Sequence, residues 1–150
     1  VSKLIARSAL VSFSALQMYE LVNDIEAFPE FMDGCVGSEI LRRGEGFVDA
    51  RLDLRKGKFN QSFATRNHLV YGERIEMALL RGEGLQGEAF KSLAGAWQFQ
   101  NLGDAGSKIS LQLKFEFKNR LIALAAEPLF EKIANQLVDS VCQRAKMLYQ

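Results

Sequence analysis

The chain has 150 residues, 48% of them apolar and 25% charged, which is the size and balance of one soluble globular domain with a single core, spanning residues 1–150. Nineteen basic against eighteen acidic side chains leave a formal charge of +1, which argues against a protein that coats nucleic acid through overall charge, and no DNA partner is expected. Two cysteines, Cys35 and Cys142, are too few for a disulfide framework and sit in no metal-ligand pattern, and no run reaches about 18 apolar residues. The expectations are a cytoplasmic protein without a membrane-spanning segment, a metal or a cofactor.

In chain order, Lys3 to Val11 reads as a strand. Ser14 and Gln17 then have capping-box spacing, with Phe13 and Met18 placed as a hydrophobic staple, so a helix is predicted over 15–23. Asp24 is placed to cap a second short helix before Pro29 and Gly34 interrupt the pattern. From Phe47 to Arg55 the period changes to two: Val48, Ala50, Leu52 and Leu54 share one face, while Asp49, Arg51, Asp53 and Arg55 share the other. Lys56-Gly57 reads as a hairpin turn into a strand from Lys58 to Val70. Further strands are predicted over 74–80, around Trp97, and over 108–118. The last thirty-odd residues switch to helical spacing through Ile122, Ala126, Leu129, Ile133, Leu137, Val141 and Ala145, with Pro128 inside and a kink expected near it.

The chain resembles the START-like helix-grip superfamily in four strings: 18–31 (MYELVNDIEAFPEF) with Cys35 following, 63–67 (FATRN), 93–99 (LAGAWQF), and the helix from Pro128-Leu129-Phe130 to Arg144-Ala145-Lys146. Within it, the chain is similar to the polyketide-cyclase-like family that includes RatA-type ribosome-association toxins and coenzyme Q-binding proteins. The resemblance implies an α+β helix-grip fold. An antiparallel sheet of about six or seven strands wraps around a long C-terminal helix, with two short helices after strand 1. It also implies space between sheet and helix for a hydrophobic small molecule such as a polyprenyl quinone or other isoprenoid lipid. The large ribosomal subunit and an antitoxin protein are implied as further partners. One departure is the long, glycine-rich 81–89 connection, where the family has a short turn.

The strand patterns nominate ligand-pocket walls. Phe59, Phe63 and Leu69 share a strand face with Gln61, Thr65 and Asn67, and a cavity wants apolar walls with a few oriented polar groups. Met77, Trp97, Phe99, Leu113 and Phe115 join them from other strands, with Leu129 and Ile133 as the helical lid. Arg55, Lys56 and Lys58 at the hairpin tip, extended by Arg51 on the outer face, are the candidates for contact with ribosomal RNA phosphates.

No catalytic residues are nominated. The 82–87 string is a literal G-x-G-x-x-G, with Asp104 where a ribose-binding acid would fall, but its flanks alternate as antiparallel strands, so a hairpin loop is the better reading. His68 and Cys35 have no spacing that pairs them as base and nucleophile, and Asp24, Glu26, Glu30 and Asp33 lack calcium-loop spacing. A cyclase- or hydrolase-like enzyme using the same cavity stays open as the alternative.

Overall fold

The computed structural model describes residues 2–82, 85 and 87–150. The elements run β1 (Lys3–Val11), α1 (Ala15–Asn23), a 3-10 turn (Ile25–Ala27), α2 (Phe28–Phe31), β2 (Cys35–Gly44), β3 (Phe47–Lys56), β4 (Phe59–Val70), β5 (Arg74–Leu79), β6 (Phe90–Asn101), β7 (Ser107–Phe117) and α3 (Arg120–Tyr149). The strands form one seven-stranded antiparallel sheet in the order β1-β7-β6-β5-β4-β3-β2. This is the START-like helix-grip arrangement that the resemblance implies.

Local chemistry explains most boundaries. Ser14 accepts from the Gln17 backbone N–H and the Gln17 side chain accepts from Ser14 N–H, so both halves of the capping box at α1 are present. Phe13 and Met18 are buried as the staple requires. Asp24, by contrast, makes no capping bond with its side chain, and the next turn is 3-10 before Pro29 enters α2 at its start, where a missing N–H costs nothing. The β3–β4 hairpin turns at Gly57-Lys58, one residue later than the sequence pattern suggests, because Gly57 takes the positive φ of 58° that the tight turn needs.

Asn119 caps α3 by accepting from Ile122 N–H at 2.9 Å. The helix then runs through 30 residues, about 45 Å, and stays unbroken at Pro128. It packs on β1, β7 and β4, so the sheet curls around it.

Aromatic contacts seat the helix. Phe130 meets Phe59, Phe90, Phe115 and Phe117 with ring centroids 4.8–6.1 Å apart, mostly edge to face. At the other end Tyr149 lies 5.7 Å from Phe13 and donates a hydrogen bond to the Gln17 carbonyl at 3.1 Å. Phe130→Ala removes the centre of the larger cluster. A loss of about 3–5 kcal/mol is expected, read as a lower urea midpoint with an unchanged slope.

Candidate functional site

Between the two aromatic seats the packing is incomplete. A cavity there has about 80 Å³ open to the centres of water-sized molecules. On that scale a water needs roughly 10–15 Å³, so the space would hold about six waters, or one ring or isoprene unit. Its floor comes from β3 and β4 (Ala50, Leu52, Leu54, Phe63, Thr65, Asn67) and from β5, β6 and β7 (Ile75, Met77, Leu93, Gly95, Trp97, Leu111, Leu113). Val22, Ile25, Phe28 and Met32 form one end wall, and Phe130, Ile133, Ala134 and Leu137 of α3 form the roof.

Small residues make the space. Ala50, Gly95 and Ala134 put no large side chain where the helix crosses the sheet. At Gly95 a Cβ would stand 2.3 Å from the Gln112 carbonyl oxygen and 2.6 Å from Leu113 Cδ2, so the two strands and the Leu113 side chain use the room that glycine leaves.

Three polar side chains face this apolar enclosure. Thr65 Oγ1 and Asn67 Oδ1 are hydrogen-bonded at 2.7 Å, and Asn67 is buried. That bond commits one half of the Asn67 carboxamide; the other half, and the indole N–H of Trp97, form no hydrogen bond with described residues. Trp97, 2% exposed and stacked on Phe99, is the chain's single tryptophan. Among the described residues, no lining side chain is acidic, basic or a thiol.

Of the residues that the strand and helix patterns nominate, Phe63, Thr65, Asn67, Met77, Trp97, Leu113 and Ile133 surround the cavity. Phe59, Gln61, Phe99, Phe115 and Leu129 do not. Facing inward is not sufficient, because the ends of the sheet are filled: Phe59 and Phe115 pack on Phe130, and Phe99 packs on Trp97 and Tyr19. Gln61 sits half-buried opposite Leu54, and Leu129 lies against the hairpin tip, where a Cβ at Gly57 would be 3.6 Å from its Cδ2. The end wall from α1 and α2 carries no strand periodicity and was not nominated, although Ile25 and Phe28 lie within the family-like string at 18–31.

The four basic candidates do not form one free patch. Arg51 is engaged by Asp53, with nitrogen–oxygen distances of 3.0 and 3.2 Å, and by Glu39. Lys56 donates to Asp33 at 2.5 Å. Arg55 and Lys58 are exposed and form no ion pair with a described acid.

The other titratable groups are placed apart from the cavity. Cys35 pairs with Leu54 and His68 with Phe47, seven residues apart on β3, a separation of about 23 Å that rules out a nucleophile–base pair. Burial pushes the Cys35 thiol above its ordinary range. Asp33, Glu26 and Glu30 pair with Lys56, Arg43 and Arg144, and no group of residues suited to a metal occurs among the described residues. The 82–87 string falls partly on Glu83, Gly84 and Gln86, which lie outside the described residues, and strand β6, not a helix, begins at Phe90.

On the outer face of β3, Arg66 grips the buried Asp49 with two bonds of 2.7 and 2.9 Å while its guanidinium lies 4.4 Å from the centre of the Phe47 ring. The Arg66 hydrogen bonds hold the Asp49 carboxyl below its ordinary range.

A curled antiparallel sheet closed by one helix over an apolar cavity defines the START-like helix-grip class of ligand-binding proteins. Residues 11–142 match the family described as polyketide cyclase / dehydrase and lipid transport, and the chain belongs to that family. It is 43% identical over 145 residues to the ribosome association toxin RatA of Pseudomonas aeruginosa, covering 97% of this chain and 96% of that protein. It is 28% identical over 143 residues to the mitochondrial coenzyme Q-binding protein COQ10 of Drosophila melanogaster, covering 93% of this chain and 57% of that one. The fold superposes on the ZhuI aromatase/cyclase from Streptomyces sp. R1128 with a TM-score of 0.86 over 100% of this chain and 97% of that one; at 15% identity the likeness is one of fold.

A depressed carboxyl contributes stability above its unfolded pKa, near 4, and that contribution is lost as pH falls through the lower folded value. Asp49→Asn is therefore expected to lower the urea midpoint at pH 7, with the gap from the parent protein closing below about pH 4.

Proposed function

We propose that this protein is a non-catalytic carrier of a hydrophobic ligand, a polyprenyl quinone or another isoprenoid lipid. Its outer surface also associates with the large ribosomal subunit and hinders subunit joining. The carrier role rests on one observation: an unfilled cavity whose apolar walls, among the described residues, are interrupted by Thr65, Asn67 and Trp97. A quinone ring offers carbonyl acceptors, and the Trp97 N–H and the Asn67 carboxamide are donors suited to them. The ring fills the space, so a longer isoprenoid tail has to pass the rim or displace side chains. A cyclase or hydrolase reading of the same cavity needs a positioned acid or base, and the described lining offers none.

Trp97 reports occupancy directly. Titration with a short-chain quinone is expected to quench its emission saturably at one equivalent, and solvent extraction of the purified protein to yield a bound lipid by mass spectrometry. Ala134→Leu fills the roof and is expected to weaken quenching at least tenfold while the urea midpoint holds. Neither retained lipid nor saturable quenching means no carrier.

The ribosomal role rests on the likeness to proteins named ribosome association toxin and on the exposed Arg55 and Lys58. By the same likeness an antitoxin is the expected protein counterpart. Co-sedimentation with large subunits is expected to fall as salt rises, and Arg55→Glu with Lys58→Glu to weaken it severalfold at physiological salt. Unchanged sedimentation of that variant removes the hairpin tip from the contact.

A further inference from the structure

The first turns of α3 carry a stripe that the fold does not use. Leu121, Leu124, Ala125 and Pro128 recur at helical spacing on the face opposite Ala126 and Phe130, and all four are exposed. Leu121 is 78% exposed and Leu124 73%, beyond what two leucines on a chain with a large core need.

The charge around the stripe is mostly positive. Lys118 and Arg120 precede it, Lys132 continues it one turn beyond Pro128, and Arg55 and Lys58 lie on the hairpin that meets Leu129. None of these five forms an ion pair with a described acid, and the first turn of α3 holds no acid, although a helix N-terminus favours one. The acids on the flank of the stripe, Glu127 and Glu131, are both held by Lys3 at 3.4 and 3.3 Å. Two nearby acids are exposed: Glu88, and Asp33, which pairs with Lys56 and is also stabilised by Lys132.

From this arrangement we infer that the N-terminal turns of α3 dock on an anionic lipid bilayer. Leu121 and Leu124 enter the acyl boundary while Lys118, Arg120 and Lys132 meet lipid phosphates. An RNA surface would use the cations but gives the leucines nothing to bury in. The inference rests on the carrier reading to this extent: the inner side of the same segment, through Phe130 and Ile133, roofs the cavity, so docking would set the ligand's enclosure against its source.

The test uses quinone-free vesicles of phosphatidylcholine with and without one quarter phosphatidylglycerol, read by co-flotation of the full chain. Binding to the anionic vesicles only, weakened by salt, is expected. Leu121→Ser with Leu124→Ser is expected to lower it at least tenfold; both side chains are exposed, and quenching of Trp97 by a short-chain quinone without vesicles checks separately that the cavity still loads. No flotation of the parent protein overturns the inference. So does a serine variant that floats as well as the parent, which would leave only charge attraction. Loss of flotation with quenching intact supports docking, whereas failed quenching in the parent bears on the carrier reading alone.

Discussion

The packing of Phe130 into four other phenylalanines is the contact from which the rest of the architecture follows. It clamps one end of α3 to the sheet, while Tyr149 against Phe13 and the Gln17 carbonyl anchors the other. A helix fixed at two bulky ends cannot settle onto the small residues between them. Ala50 and Ala134 therefore leave space instead of drawing the layers together, while the room at Gly95 is taken up by the neighbouring strand and Leu113. The cavity is a result of where large and small side chains alternate along the contact.

That origin explains the separation of chemistry in the molecule. Charged pairs lie on the outer side of the strands: Arg51–Asp53 is partly exposed and screened by solvent, while the buried Asp49 is held by two hydrogen bonds from Arg66. Inside, three polar side chains stand among some nineteen apolar lining positions. Such an enclosure can orient a carbonyl or a hydroxyl, and its described lining holds no acid, base or thiol. The superposition on an aromatase/cyclase at 15% identity shows how far sequence can diverge while the fold is kept, and fold alone assigns no chemistry.

Much of the fold is legible in the sequence because its signals are local. The capping box at Ser14 and Gln17, the alternation in β3 and β7, and the spacing of α3 each act over a few residues. The site is less legible, since alternation tells which face a residue takes and not how far along the strand the helix stands clear. Phe59 and Phe63 share a face and lie four residues apart, yet one is filled against Phe130 and the other borders the cavity. The end wall of Val22, Ile25, Phe28 and Met32 depends on a 3-10 turn and a one-turn helix, which leave almost no periodic trace. Arg51 has a local partner in Asp53, but Glu39 and the Asp33 that engages Lys56 are non-local: they come within reach only once β2 has paired and the chain after α2 has closed.

The sheet joins the first strand to the last, with Lys3 opposite Phe115 and Val11 opposite Ser107. During synthesis β1 emerges first but has no neighbour until β7 is made, so roughly a hundred residues must wait as a partly formed meander with an open edge. Completion of the sheet is then a late, cooperative event, and until it occurs the nascent chain has no closed interior in which to hold a guest.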